Sequence, residues 1–312
     1  MGLDLFFAFR QPVRDIVIKR TLRSEDEDWS IRLPLQVNCN STTDLKIGIF
    51  CHIFYPELAE ELLRKAALCP FPFRLVVTTD TLDKKLEIEA VLRNLKIENA
   101  EIRIVPNRGR DIAPRFIACR ELFYDCDLLL FIHSKNTSHF AERAEWRKWL
   151  IESTCGSVEI FRSIVRLFEK DTSLGLVYPQ SYPLIRPGMI WSGLFRQARA
   201  LCARMGVQLN PLNKLDFPAG SMYWVRTKAM LPLLELDLKW ADFPEEAGQV
   251  HGTLAHIIER VTNHVCEAAG YRWVKVLSEN SQPTGRVIEI KSEAELLTFL
   301  RAHDYRLLDR AA

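Results

Sequence analysis

Between Lys46 and His133 the chain alternates short apolar runs with amphipathic ones, and this alternation restricts the fold more than any other feature. Residues 47–54 read as a strand. Pro56 suits the first turn of a helix, and Leu58, Leu62, Leu63 and Ala66 recur at helical spacing. Residues 73–79 predict a second strand ending at Asp80, and 81–95 a helix. Residues 100–105 predict a third strand, 112–123 a helix, and 128–132 a fourth strand. Strands joined through single helices run parallel, because each crossover returns the chain to the same end of the sheet. The expected fold is α/β, with a mostly parallel, doubly wound central sheet.

The second half is more mixed. Ser157 caps an expected helix to about Lys170. A strand is expected at 174–178, a helix at 192–205 ending at Gly206, and a strand at 222–226. A long helix at 251–269 closed by Gly270 and a strand at 271–277 follow. Ser292 and Glu295 form a capping box for a last helix. The expected organisation is an extension over 1–45, a domain over 46–285 whose halves meet near residue 150, and a helical tail over 286–312.

Bulk properties narrow the function. The chain has 312 residues, enough for a substantial core, and a formal net charge of +2, which gives nucleic acid no bulk electrostatic attraction. Its eight cysteines include no Cys-x-x-Cys pair and sit mostly among apolar neighbours. That usage suits a reduced, cytoplasmic protein better than a disulfide scaffold. No stretch has the length of a membrane span. The apolar start at 3–9 is short and lacks a basic flank and a cleavage site, so it reads as an edge strand or partner contact rather than a signal peptide.

Four clusters carry chemistry. Asn107-Arg108-Gly109-Arg110-Asp111 lies between an expected strand and helix. Gly permits a tight backbone, a helix N-terminus attracts an anion, and two guanidinium groups can fork onto phosphate oxygens. Asp111 either caps the helix or fixes one of those arginines. The bland reading is a capped helix with solvated arginines. His133-Ser134-Lys135-Asn136-Thr137 ends the fourth strand at the edge where open α/β sheets bind ligands. It brings an imidazole and an ammonium, and no carboxylate from Phe131 to Thr137, which argues against a metal there. Phe217-Pro-Ala-Gly220-Ser221-Met222-Tyr223-Trp224 offers aromatic faces that suit sugar rings, or simply core. The fourth cluster runs from Asp242 through Glu245, Glu246, His251 and His256 to Glu259 and Arg260. Its first carboxylates precede a helix, where the dipole stabilises them. His256, Glu259 and Arg260 fall within about one turn and read equally well as a buried polar knot.

Together these segments resemble the rhamnan synthesis protein F family. The motifs are Ile-Phe-Cys-His-Ile-Phe-Tyr-Pro-Glu-Leu at 49–58, Asn-Arg-Gly-Arg-Asp-Ile-Ala-Pro at 107–114, Ile-His-Ser-Lys at 132–135, Phe-Pro-Ala-Gly-Ser-Met at 217–222 and Gly-Thr-Leu-Ala-His-Ile-Ile-Glu-Arg at 252–260. The resemblance spans about 46–275. It implies a glycosyltransferase of GT-A-like, Rossmann-like fold that builds bacterial surface polysaccharide from a nucleotide sugar, most plausibly dTDP-L-rhamnose. The donor is a substrate, and no cofactor is implied. The first half of the domain would bind the nucleotide sugar and the second the acceptor, a glycan or lipid-linked glycan. A lipid-linked acceptor would bring the protein to the inner face of the membrane, beside other polysaccharide synthesis enzymes. The family pattern has Asp-Gly-Thr where this chain has His251-Gly252-Thr253.

The expected reaction is an inverting, metal-independent transfer of a 6-deoxyhexose to a sugar hydroxyl. Thr78, Thr79 and Asp80 are expected at the nucleoside, flanked by His52 and Tyr55. Arg108, Arg110, His133 and Lys135, with Asn107 and Asp111 in the same loop system, are expected at the diphosphate. Lys135 would stand where other transferases hold a metal. Glu246 is the expected general base, with Glu245 and His251 as rivals. Phe217 to Met222 and Trp224 would shape the acceptor side. A catalytically inactive glycan-binding or scaffolding subunit is the first alternative, and phosphate chemistry through His133 the second.

Overall fold

A computed structural model of the protein describes residues 28–40, 42–134, 141–246, 252–302 and 307. Nine strands form one sheet in the order β4-β3-β2-β5-β7-β6-β8-β1-β9. They are β1 (Trp29–Leu33), β2 (Ile47–His52), β3 (Phe73–Thr79), β4 (Ala100–Ile104), β5 (Leu128–His133), β6 (Leu174–Pro179), β7 (Tyr223–Arg226), β8 (Arg272–Ser278) and β9 (Arg286–Ile288). Every pairing is parallel except those of β7 with β5 and β6. The reversal follows from the chain path. After β6 the chain crosses one face as a helix and returns to the carboxyl edge of the sheet, where β7 begins with Tyr223 opposite Phe131.

Helices cover both faces. On one lie α1 (Ala59–Ala66), α2 (Leu82–Asn94), α3 (Ala141–Cys155), α4 (Val158–Lys170) and, near the end of the chain, α7 (Glu293–Ala302). On the other lie α5 (Phe195–Arg204), α6 (Leu254–Ala268) and the segment from Ile112 to Cys126. Strands sealed on both faces read as continuous apolar runs, and all six residues of β2 and of β5 are buried. Thr81 and Ser157 cap α2 and α4 through bonds from Lys84 N–H and Ile160 N–H.

Four expectations change. Residues 29–33 are not an extension: β1 lies between β8 and β9, and Ile31 and Leu33 are fully buried. The expected helix at 112–123 is replaced by a π-type turn over Pro114–Ala118 and a four-residue helix, Leu122–Asp125. Pro114 sits in the first helical turn, where its missing N–H breaks no ladder bond, and the turn closes through Cys119 N–H to Pro114 O, 3.1 Å. The tail adds an edge strand, β9, before α7. The helix expected at 192–205 starts later, at Phe195, because Ser192 and Gly193 both hold positive φ.

A buried ionic cluster ties the far half together. Lys275, 1% exposed, lies between the carboxylates of Asp28 and Asp216, with Asp216 Oδ2 at 2.7 Å. Tyr178 donates to Asp216 Oδ1 (3.1 Å) and accepts from Asn263 Nδ2 (2.8 Å). The two carboxylates offset the buried ammonium, and the network anchors the loop that begins at Asp216. All eight cysteines are free thiols. Among the described residues, no helix is long and apolar enough to cross a membrane.

Candidate functional site

β2 is flanked by β3 on one side and β5 on the other, and the chain leaves it in one direction and returns in the other. That is a topological switch point, where the connections diverge and leave a crevice at the carboxyl edge. His52 and His133 end β2 and β5 and are register partners there. Ser134 closes the base of the crevice. Its N–H donates to His52 O (2.8 Å), and its Oγ accepts from the N–H groups of Phe54 (2.8 Å) and Tyr55 (3.0 Å).

The two imidazoles differ. His52 Nδ1 lies 2.9 Å from Thr78 Oγ1, and burial pushes its pKa down to about 4, partly opposed by Asp111. His52 is therefore neutral at pH 7. His133 Nε2 lies 2.7 Å from Gly220 O and Nδ1 3.3 Å from Ser134 O. A carbonyl only accepts, so Nε2 carries a hydrogen and donates.

Gly220 is held from both sides: its N–H donates to Glu259 Oε1 at 2.8 Å. Gly220 and Ser221 both have positive φ, and a Cβ at Gly220 would come within 2.6 Å of Leu150 Cδ1. The Pro-Ala-Gly-Ser turn thus links β5 to α6. Met222, Tyr223 and Trp224 beyond it are core. Trp224 is fully buried, edge-on to Phe161, with its indole N–H on Thr154 O (2.9 Å). It offers no face to a sugar.

The Asn107–Asp111 loop takes a form different from an anion-binding helix start. Gly109 and Arg110 both have positive φ. The N–H groups of Ile112 and Ala113 go to Gly109 O, and that of Arg110 to Glu246 Oε1 (3.1 Å). The helical stretch that follows is short, with Ile112 and Ala113 running into the π-type turn, and its first N–H groups are already bonded. The guanidinium groups remain, and they meet the acidic cluster. Arg108 Nη2 lies 2.7 Å from Glu245 Oε1, its Nη1 donates to Phe243 O (3.2 Å), and Arg108 and Glu245 form a backbone bridge. Arg110 Nε lies 3.7 Å from Glu246 Oε2. Gly109 makes the approach possible: a Cβ there would stand 2.5 Å from Phe243 Cδ1. Asn107 is exposed.

Asp111 fixes neither Arg108 nor Arg110. Its carboxylate pairs with Arg115, four residues on, and both are buried. Burial alone would raise the Asp111 carboxyl, but His133, Arg115 and His52 outweigh it and hold it below the ordinary range. The Arg115 guanidinium lies 4.4 Å from the Phe131 ring centroid and donates to Ser221 O (3.2 Å). Arg115 escaped the sequence reading because it stood within an expected helix. Its spacing of four from Asp111 was the available signal.

The remaining expected residues fall as follows. Thr78 and Thr79 are fully buried. Asp80 pairs with Lys84 (2.6 Å), whose ammonium sits 3.6 Å from the Phe54 ring centroid. Tyr55 is half-buried against Phe54, ring centroids 4.9 Å apart. His256 caps α6 through Thr253 Oγ1 at 2.9 Å, and Arg260 donates to Ile190 O and His256 O. Lys135 and His251 lie outside the described residues. Among the described residues, no group of three or more His, Cys, Asp or Glu could hold a metal ion.

Fold and site together define an α/β protein with a mostly parallel sheet, two histidines at the strand ends of its switch point, and an arginine loop paired with two carboxylates. The sequence matches the family described as rhamnan synthesis protein F over residues 12–271. The chain belongs to that family, whose description places it in polysaccharide synthesis. The match starts well before Lys46, in keeping with the place of β1 in the sheet. Two relatives from Xanthomonas campestris pv. campestris, strains B100 and ATCC 33913, are each named "Uncharacterized protein WxcX". Each is 33% identical over 225 residues, covering 72% of this chain and 32% of the relative. The chain thus spans about a third of the length of these curated relatives.

Proposed function

We propose that the chain is a glycosyltransferase of GT-A-like architecture that moves a 6-deoxyhexose onto a growing bacterial surface polysaccharide. The donor in this reading is a nucleotide sugar, dTDP-L-rhamnose, and the acceptor a glycan or lipid-linked glycan. The observation that carries the reading is one juxtaposition. His133 ends β5 at the switch point, Asp111 at the end of the arginine loop acts electrostatically on both strand-end histidines, and a carboxylate pair, Glu245 and Glu246, faces Arg108 and Arg110 of that loop. Nucleotide-sugar transfer needs both: cations for a leaving diphosphate and a base for the incoming hydroxyl.

In the proposed step the acceptor oxygen bonds to the anomeric carbon as the bond from that carbon to the diphosphate oxygen breaks. Attack from the opposite face inverts the configuration. Glu246 takes the hydroxyl proton, and the diphosphate keeps the bonding electron pair. Arg108, Arg110, His133 and Lys135 offset the charge that develops on the leaving oxygen. Cations already in place lower the barrier because they need no reorganisation during reaction. Tyr55 and Asp80 flank the nucleoside, and Thr78 acts by orienting the neutral His52. The β5 terminus brings no carboxylates for a divalent ion, and Lys135 supplies a charge in its place.

Calorimetry with dTDP alongside a turnover assay tests the reading. Glu246→Gln should still bind dTDP, at least as tightly as the wild type, and lose turnover by about 10²–10⁴-fold. Normal turnover by Glu246→Gln would move the base elsewhere. A wild type that binds dTDP and transfers nothing would instead be a glycan-binding subunit.

A further inference from the structure

The two arginines assigned to the donor diphosphate already hold carboxylates. Glu245 Oε1 sits 2.7 Å from Arg108 Nη2, and Glu246 engages Arg110 through its backbone N–H and its guanidinium. Arg108 keeps a second, independent anchor, the bond from Nη1 to Phe243 O at 3.2 Å. The guanidinium can therefore change partner on its Nη2 side without losing its position. The Glu245 side chain is 77% exposed and that of Arg108 31%, so water screens this pair and keeps it weak. A diphosphate carries more charge than a carboxylate and presents more acceptor oxygens to the same fork.

We infer that Glu245 is an internal counter-ion: it occupies the diphosphate position on Arg108 until the donor displaces it. This rests on the proposed transferase reading and adds an order of events. Arg110 turns toward the diphosphate in the same exchange and releases the Glu246 carboxylate, so the acceptor hydroxyl meets its proposed base only after the donor is seated.

The test is calorimetric titration of dTDP and of inorganic pyrophosphate into the full chain, with wild type, Glu245→Gln, Glu245→Ala and Arg108→Ala compared. Both Glu245 variants should bind the two anions about twofold to fivefold tighter than wild type at low salt, the range of an exposed ion pair. The gain should vanish at about 0.5 M salt, where such a pair is screened. Arg108→Ala should bind at least about tenfold more weakly, as loss of a charge-assisted fork requires. Unchanged or weaker binding by both Glu245 variants, with Arg108→Ala still impaired, overturns the exchange and leaves the donor reading standing. Glu245 would then present Arg108 to the ligand. If wild type binds neither anion, or Arg108→Ala binds both as well as wild type, the donor reading fails and the exchange fails with it. Melting curves that coincide with wild type verify that the exposed Glu245 substitutions leave the fold intact.

Discussion

Arg115→Met takes away the guanidinium facing Asp111 while keeping an unbranched side chain of similar reach. Arg115 is 1% exposed and Asp111 7%, so water cannot replace the lost partner. Removing one member of a buried pair typically costs about 3–5 kcal/mol, because the other charge stays buried. Arg115→Met falls in this range, since it leaves the Asp111 carboxylate buried without its guanidinium partner. Asp111→Asn leaves the guanidinium with the carbonyls of Asp111 and Ser221 and the ring of Phe131, again about 3 kcal/mol. The double variant leaves no unpaired charge and should cost well below the sum, with a coupling of at least about 1 kcal/mol. Urea denaturation at pH 7, read as midpoints at constant slope, measures all three. Additive single losses, or a loss below about 1 kcal/mol for Arg115→Met, would refute the claim that Asp111 and Arg115 act as one buried ion pair.

Two further outcomes are expected. Burial holds both His52 and His264 at about 4, against an unfolded value near 6.5. The unfolded chain therefore binds more protons across that window, and stability is full above pH 6.5 and falls as pH drops toward 4, by about 3 kcal/mol per residue. His264→Phe should reduce the slope of unfolding free energy against pH by about 1 kcal/mol per unit near pH 5; an unchanged slope would show that His264 does not titrate in this way. Lys135→Ala should abolish transfer while EDTA leaves wild-type transfer intact. Activity lost with EDTA and restored by Mn²⁺ or Mg²⁺ would put a metal in the role given to Lys135.

The opening βαβ units were legible because their signal is local: apolar runs of strand length separated by helical periodicity. β1 was equally local, with Trp29, Ile31 and Leu33 alternating against Ser30 and Arg32. It passed unseen because the acidic residues before it and the polar stretch after it suggested an extension. The segment at 112–123 differed in another way: its apolar periodicity fits one continuous helix, whereas the chain widens into a π-type turn and then a separate short helix. Within the site, the residue types at the strand ends and in the arginine loop were legible, and their partners were not. Glu245 and Glu246 read as a helix-start pair, yet they close onto the arginine loop more than 130 residues earlier.

The sequence alone determined the α/β class, the parallel opening, the two histidines at the strand ends and the family. These follow from periodicity, turn residues and motif order, all carried within short stretches of chain. Tertiary structure decided that β7 runs backward, that β1 joins the far half of the sheet, that Trp224 is core, and that Asp111 pairs with Arg115. It also brought the acidic pair onto the arginines. Each of these depends on which distant surfaces exclude water from one another, and burial of that kind is a property of the folded whole.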